Sequence, residues 1–129
     1  MFPDKNFENV TELSPGTLAF VGDAVYGLFV RTLLAGVNRP AGELHKMSLE
    51  YVAAPMQAQA FKKIEPLLTE TEHDIFRRGR NLHVNNVPKS ATPAQYHTAT
   101  GLECLFGFLY LSGNTDRAKE LFAVISETE

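Results

Sequence analysis

An all-α fold is what this 129-residue sequence predicts. Three observations carry that prediction. Helix-start and helix-stop signals recur along the chain while strand punctuation does not. The apolar residues near the C-terminus fall at helical spacing. No repeat, low-complexity tract or linker divides the chain. The first helix opens at "SPG" (14 to 16), where Ser14 is placed to cap and Pro15 takes the first helical position; it runs to about Ala35, with Gly36 to end it. Pro40 starts a shorter second helix through about Glu50, and Pro55 a third through about Glu65. Thr69 with Glu72 three residues on is a capping-box pattern that opens a fourth helix carrying "IFRRGR". Thr92 and Pro93 open a fifth, which continues through "TGLECLFGFLYL" to Gly113. After "GN", the spacing of Ala118, Leu121, Phe122 and Ile125 predicts a sixth helix against the core.

The length suits one domain, 1–129 with its core over about 13–125, and leaves no comfortable room for two. A hydrophobic share of 44% against 21% charged residues is that of a folded globular protein and argues against disorder. No uncharged run reaches the roughly 18 apolar residues of a membrane span, and the start, "MFPDKNFENV", lacks a signal-peptide pattern. The single cysteine, Cys104, cannot form an internal disulfide and lies among apolar residues, so it reads as a small core residue. A cytoplasmic location follows as the expectation.

The first helix is apolar on every side. Leu18, Val21, Val25 and Leu28 make one stripe, and Phe20, Ala24 and Gly27 occupy the opposite flank. A domain this small struggles to surround such a helix, which points to burial against a second copy of the chain. Within its apolar run "LAFVGDAVYGLFV" (18 to 30) stands one charge, Asp23. The fifth helix repeats the oddity, since Glu103 is the only charge from Thr98 to Ser112. An ionised carboxylate in an apolar setting is costly unless a cation meets it. Helices this apolar pack together, and if their polar faces converge the two acids come close.

Two adjacent carboxylates repel unless one is protonated or a cation lies between them. A shared proton suits acid catalysis of the glycosidase kind; a hard divalent cation such as Mg²⁺ suits phosphate chemistry. The bland alternative is that each acid pairs with a buried arginine, Arg31 or Arg78, and is structural. The net charge of −3 argues against a nucleic-acid partner, but the segment from His73 to Ser90 holds Arg77, Arg78, Arg80 and Lys89 against Asp74 alone. That local basic surface favours phosphate.

"FVGDAVY" (20 to 26) resembles the signature helix of the ribonuclease III endonuclease domain, and "LECLFGFLYL" (102 to 111) resembles that family's second motif. "RRGRN" (77 to 81), "VPK" (87 to 89) and Tyr96 are similar to the short branch of the family, Mini-ribonuclease III. The resemblance implies a ribonuclease III-like helical fold and a homodimer. It also implies a Mg²⁺-dependent endonuclease, with Mn²⁺ able to substitute, that cleaves double-stranded RNA and not DNA to leave 5′-phosphate and 3′-hydroxyl ends. Its implied biological role is maturation of the large-subunit (23S) ribosomal RNA precursor. Asp23 and Glu103 inherit the catalytic and metal-binding roles. Longer members carry two further acids where this chain has Ala19 and Thr100, so the site holds fewer charges; Thr100, one turn before Glu103, is placed to hydrogen-bond a water of the metal's shell.

With no room after the sixth helix for an RNA-binding domain, recognition is expected from the catalytic dimer itself. Duplex RNA is read through shape, phosphates and 2′-hydroxyls, which suits Arg77, Arg78, Arg80, Asn81 and Lys89 around the polar loop "NLHVNNVPKSATP". Lys62 and Lys63 are peripheral candidates explained equally well as a solvated face. Glu70 and His73 make a single Glu-x-x-His spacing where a di-iron site needs two, and His45 and His97 read as local hydrogen-bonders. The alternative to an enzyme is a non-catalytic RNA-binding or ribosome-associated scaffold of the same fold. Its mark would be loss of either acid, and both are present.

Overall fold

The computed structural model describes residues 9–82 and 87–127. Six α-helices follow a short 3-10 turn at Val10–Glu12: α1 (Pro15–Ala35), α2 (Ala41–Val52), α3 (Ala54–Ile64), α4 (Glu70–Arg80), α5 (Pro93–Leu111) and α6 (Thr115–Ser126). No strand occurs among the described residues, as the punctuation predicts. The polar loop expected to meet RNA falls partly outside the described residues, at 83–86, as does the N-terminal stretch 1–8.

The starts obey local chemistry. The Ser14 hydroxyl accepts from the Thr17 amide at 3.1 Å with Pro15 at the first helical position. Thr69 and Glu72 form the reciprocal capping box of α4, and Thr92 with Gln95 forms a second one on α5. The stops differ in one detail. Gly36 follows α1 but keeps right-handed backbone (φ −66°), and the left-handed step is taken two residues later by Asn38 at φ 54°. Asparagine tolerates that region because its short polar side chain bonds locally. At the end of α5 the glycine does serve, with Gly113 at φ 81°.

α5 is the axis of the molecule, and α1, α3, α4 and α6 all pack against it. Its residues from Ala99 to Leu109, Glu103 apart, are all buried. Two close approaches set the packing. A Cβ at Gly22 would lie 1.6 Å from the Glu103 carbonyl oxygen, and one at Gly107 would lie 2.0 Å from the Leu18 carbonyl oxygen. α1 and α5 therefore touch backbone to backbone. On the other side of α5, a Cβ at Gly79 would meet the Cys104 sulfur at 2.5 Å and one at Gly101 would meet the Phe76 ring at 2.6 Å. Aromatic rings close the remaining space: Tyr26 meets Phe106 edge-on at 5.1 Å and Phe122 at 5.6 Å, linking α1, α5 and α6.

The glycine contact also sets which face of α1 is buried within the chain. The core stripe is Leu18, Gly22, Tyr26, Val30 and Leu34, whereas Leu28 of the expected stripe is 49% exposed and Phe20 is 81% exposed. By length and mean hydropathy α1 would qualify as a membrane span, a test that its uncharged runs alone fail. Its backbone contact with α5 is the packing of a core helix.

A buried ion pair ties the ends of α4 and α6 together. Arg117 donates to both Glu72 carboxylate oxygens at 2.9 Å, to the Leu67 carbonyl at 2.8 Å and to Glu120 at 2.6 Å. Burial pushes the Glu72 carboxyl up, but the Arg117 and Thr69 hydrogen bonds outweigh it and hold the group below the usual carboxylate value. Lys63 donates to the Ile125 carbonyl at 3.1 Å, so one of the two peripheral lysines anchors α3 to α6. Cys104 is fully buried, its thiol pushed up to about 11 chiefly by burial, as suits a core residue.

Candidate active site

Asp23 and Glu103 meet. Asp23 immediately follows Gly22, and Glu103 stands one turn before Gly107, so the backbone contact that joins α1 to α5 also carries the two carboxyls to one place. They are within hydrogen-bond reach, and the Glu103 carboxyl is pushed up to about 7 by burial first and by the facing Asp23 second. No arginine relieves either acid. Arg31 is exposed, and Arg78 donates elsewhere.

The amide of Gln57, on α3, donates to Glu103. Gln57 is 2% exposed, so this contact lies in the interior and has no competition from bulk water. Beside Glu103 lies a cavity of about 240 Å³ whose lining includes Gln57, Tyr96, Thr100, Ala53, Pro88 and Ser90. The Thr100 hydroxyl donates to the Tyr96 carbonyl at 3.1 Å and keeps lone pairs free to accept. Tyr26, one turn after Asp23, buries a hydroxyl that has no hydrogen-bond partner, and burial followed by Tyr51 and Glu103 holds its proton on.

Two carboxylates and a neighbouring hydroxyl form an oxygen donor set. That set suits a hard divalent cation, which takes one or two carboxylates and keeps waters for its other positions. A cation between the two acids would offset the repulsion between them. Among the described residues no cluster of three or more Asp, Glu, His or Cys side chains is present.

Sequence reasoning missed Gln57. The signal was available: Gln57, Ala60, Phe61 and Ile64 are the buried residues of α3, at the i, i+3, i+4, i+7 positions of a core stripe, and Gln57 is its one polar member. The basic candidates divide. Arg77 is exposed and paired with Asp74 on its own helix, and Arg80 lies over the Phe76 ring at 5.7 Å with its Nε donating to Asn81 at 3.3 Å. Lys89 is exposed. Arg78 has a structural task in the fold. Its guanidinium donates to the Thr11 carbonyl at 2.6 Å and the Leu13 carbonyl at 2.9 Å, fastening the N-terminal approach to α4. His73 meets Glu65 at 3.3 Å, away from the acids.

Asp23 stands at the edge of a second surface. An apolar depression of about 840 Å³ runs along α1 and α6, with Phe20, Leu28, Leu33, Tyr110, Lys119 and Phe122 among its lining residues and Asp23 on its margin.

Residues 16–114 match the model of the Ribonuclease III domain. A Mini-ribonuclease 3 of Thermoanaerobacter sp. is 49% identical over 88% of this chain and 81% of its own length. One from Symbiobacterium thermophilum is 44% identical over 92% of each. A crystal structure of a Fusobacterium nucleatum protein, 28% identical, superimposes with a TM-score of 0.84 over 92% of this chain and 96% of that one. With its helical architecture, its acid pair and these relatives, the chain belongs to the ribonuclease III family and is an endoribonuclease of the Mini-ribonuclease 3 type.

Proposed function

We propose that Asp23 and Glu103 are the catalytic, metal-holding residues of this endoribonuclease and that the substrate is double-stranded RNA, with the large-subunit (23S) ribosomal RNA precursor as its biological form. One observation carries the reading: two carboxyls in contact, inside an apolar helix pair, with no cation on either among the described residues. A structural acid would have an arginine, as Glu72 has in Arg117. When bound, Mg²⁺, or Mn²⁺ in its place, lowers the pKa of a water to make a nucleophile at neutral pH and offsets charge on the phosphoryl oxygens. The chain's own residues do the rest. Asp23, the exposed member, faces the RNA side; Glu103, set deeper, is held in orientation by Gln57; and Thr100 can accept from a water beside Glu103.

Arg77, Arg80, Asn81 and Lys89 supply phosphate and sugar contacts at the end of α4 and the start of the segment before α5, where three of the four are cationic and all are exposed. Arg78 is set apart from them because two of its donors already hold the Thr11 and Leu13 carbonyls. The active form is a homodimer joined through the exposed side of α1. Phe20, Leu28 and Leu33 there form an apolar surface larger than a scattering of single residues, and such surfaces mark interfaces. A dimer would bring two acid pairs to one duplex, one for each strand.

Long duplex RNA incubated with the protein and Mg²⁺ should yield fragments with 5′-phosphate ends, and none in chelator. Intact RNA under both conditions would reject the catalytic reading. Sedimentation of the chain at micromolar concentration should give the mass of two copies; a clean monomer would reject the dimer.

A further inference from the structure

Among the described residues, the side chains found beside Glu103 other than Asp23 are electrically neutral. Gln57 donates to Glu103, Tyr26 lies near it with burial holding its phenol protonated, and Thr100 shares its cavity. A lysine or arginine in place of Gln57 would satisfy the carboxylate equally well, but it would close the site as an ion pair and repel a second cation. A purely apolar residue would leave the carboxylate without an orienting bond. A buried amide donates to an anion without charge and without titrating.

We propose that Gln57 is the positioning residue of the catalytic pair: from the buried stripe of α3 it fixes the Glu103 carboxyl facing Asp23, and so sets the affinity of the site for its divalent cation. The proposal rests on the reading of Asp23 and Glu103 given above. Its physical basis is the burial of Gln57, which holds the amide in one place, and the shortage of other ligands. With only two acids present, an undirected Glu103 would add the cost of freezing its side chain to every binding event. Gln57 is not a catalytic residue, since it acts through Glu103.

Gln57→Leu keeps the volume and removes the amide, while Gln57→Asn keeps the amide and withdraws it by one methylene. Mn²⁺ titrated into RNA-free protein, followed by calorimetry, should bind roughly 10–100-fold more weakly in both variants. The Mg²⁺ concentration for half-maximal duplex cleavage should rise in step. Binding of duplex RNA in chelator should not change, and circular dichroism should report a folded chain. Wild-type Mn²⁺ affinity in a folded Gln57→Leu protein overturns the proposal. Should Gln57→Leu fail to fold, Gln57→Asn decides in the same way. Full cleavage by Asp23→Asn and Glu103→Gln would instead overturn the underlying assignment of the acids.

Discussion

Glu72 and Glu103 are both glutamates drawn into the interior of one small domain, and their surroundings are opposite. Glu72 sits at the N-terminus of α4, accepts from its own cap and is gripped on both oxygens by Arg117, so its charge is fully met and its proton is lost easily. Glu103 sits in the middle of α5 and faces another acid, so its proton is retained up to about pH 7. The first arrangement stores nothing; it fastens α4 to α6. The second leaves negative potential unspent at a place that only a proton or an outside cation can occupy. What separates the two acids in this fold is thus the partner that was withheld, not the depth of burial.

Breaking each pair should have consequences of a different kind. Asp23→Asn or Glu103→Gln should reduce duplex-RNA cleavage by at least about 10³-fold, near 4 kcal/mol in the barrier. Thermal unfolding should show the fold intact, because removing one of two like charges relieves repulsion. A cleavage rate near wild type would erase the contrast. Glu72→Ala should do the reverse. It leaves Arg117 without its carboxylate and the α4 cap half unmade, a loss of about 3 kcal/mol in a urea titration, with the metal requirement of the remaining folded enzyme unaltered.

The two acids also respond at opposite ends of the pH scale. Glu103 has a folded value of about 7 against 4.5 for the free group, so the folded chain binds the extra proton between those limits. Its contribution, up to about 3 kcal/mol, is fully present below 4.5 and is lost as pH rises through 7. In chelator, the Tm should therefore fall on going from mildly acidic to mildly alkaline buffer, and divalent cation should reverse the fall. Glu72, held below its usual value, contributes above that value and loses its contribution only as acid carries the pH down through the folded one. A Glu103→Gln protein that keeps the neutral-range slope would assign it to another group.

The smallest effects belong to the surface. Arg77→Ala, Arg80→Ala and Lys89→Ala should each weaken duplex binding and lower the slope of log K against log salt by about 1. Arg78→Ala should instead lower stability, since its guanidinium holds the Thr11 and Leu13 carbonyls. An Arg78 variant with wild-type stability and a reduced salt slope would return it to the RNA-contact set.

Local chemistry was legible because it is written in neighbours. Ser14 with Pro15, Thr69 with Glu72, and Thr92 with Pro93 announce helix starts within four residues, and all three helices begin there. The two isolated acids were visible as single charges in apolar runs. Long-range facts were not. The spacing of bulky residues on α1 favoured a stripe through Val25 and Leu28, yet Gly22 is what α1 turns toward α5, and apolar periodicity gives no weight to a residue without a side chain. Arg117 and Arg78 carried no mark that set them apart from other arginines, because what each meets lies 45 and 67 residues away.

By itself, then, the sequence determined the helices, the acids and the kind of chemistry they suit, since capping, periodicity and the cost of a bare carboxylate act over a few residues or on one side chain. Tertiary structure alone decided that Asp23 and Glu103 meet, that Gln57 supports one of them and that Arg78 supports the chain. Each of those depends on how closely two helices approach. That distance is set at Gly22 and Gly107, where the absence of atoms lets backbones touch.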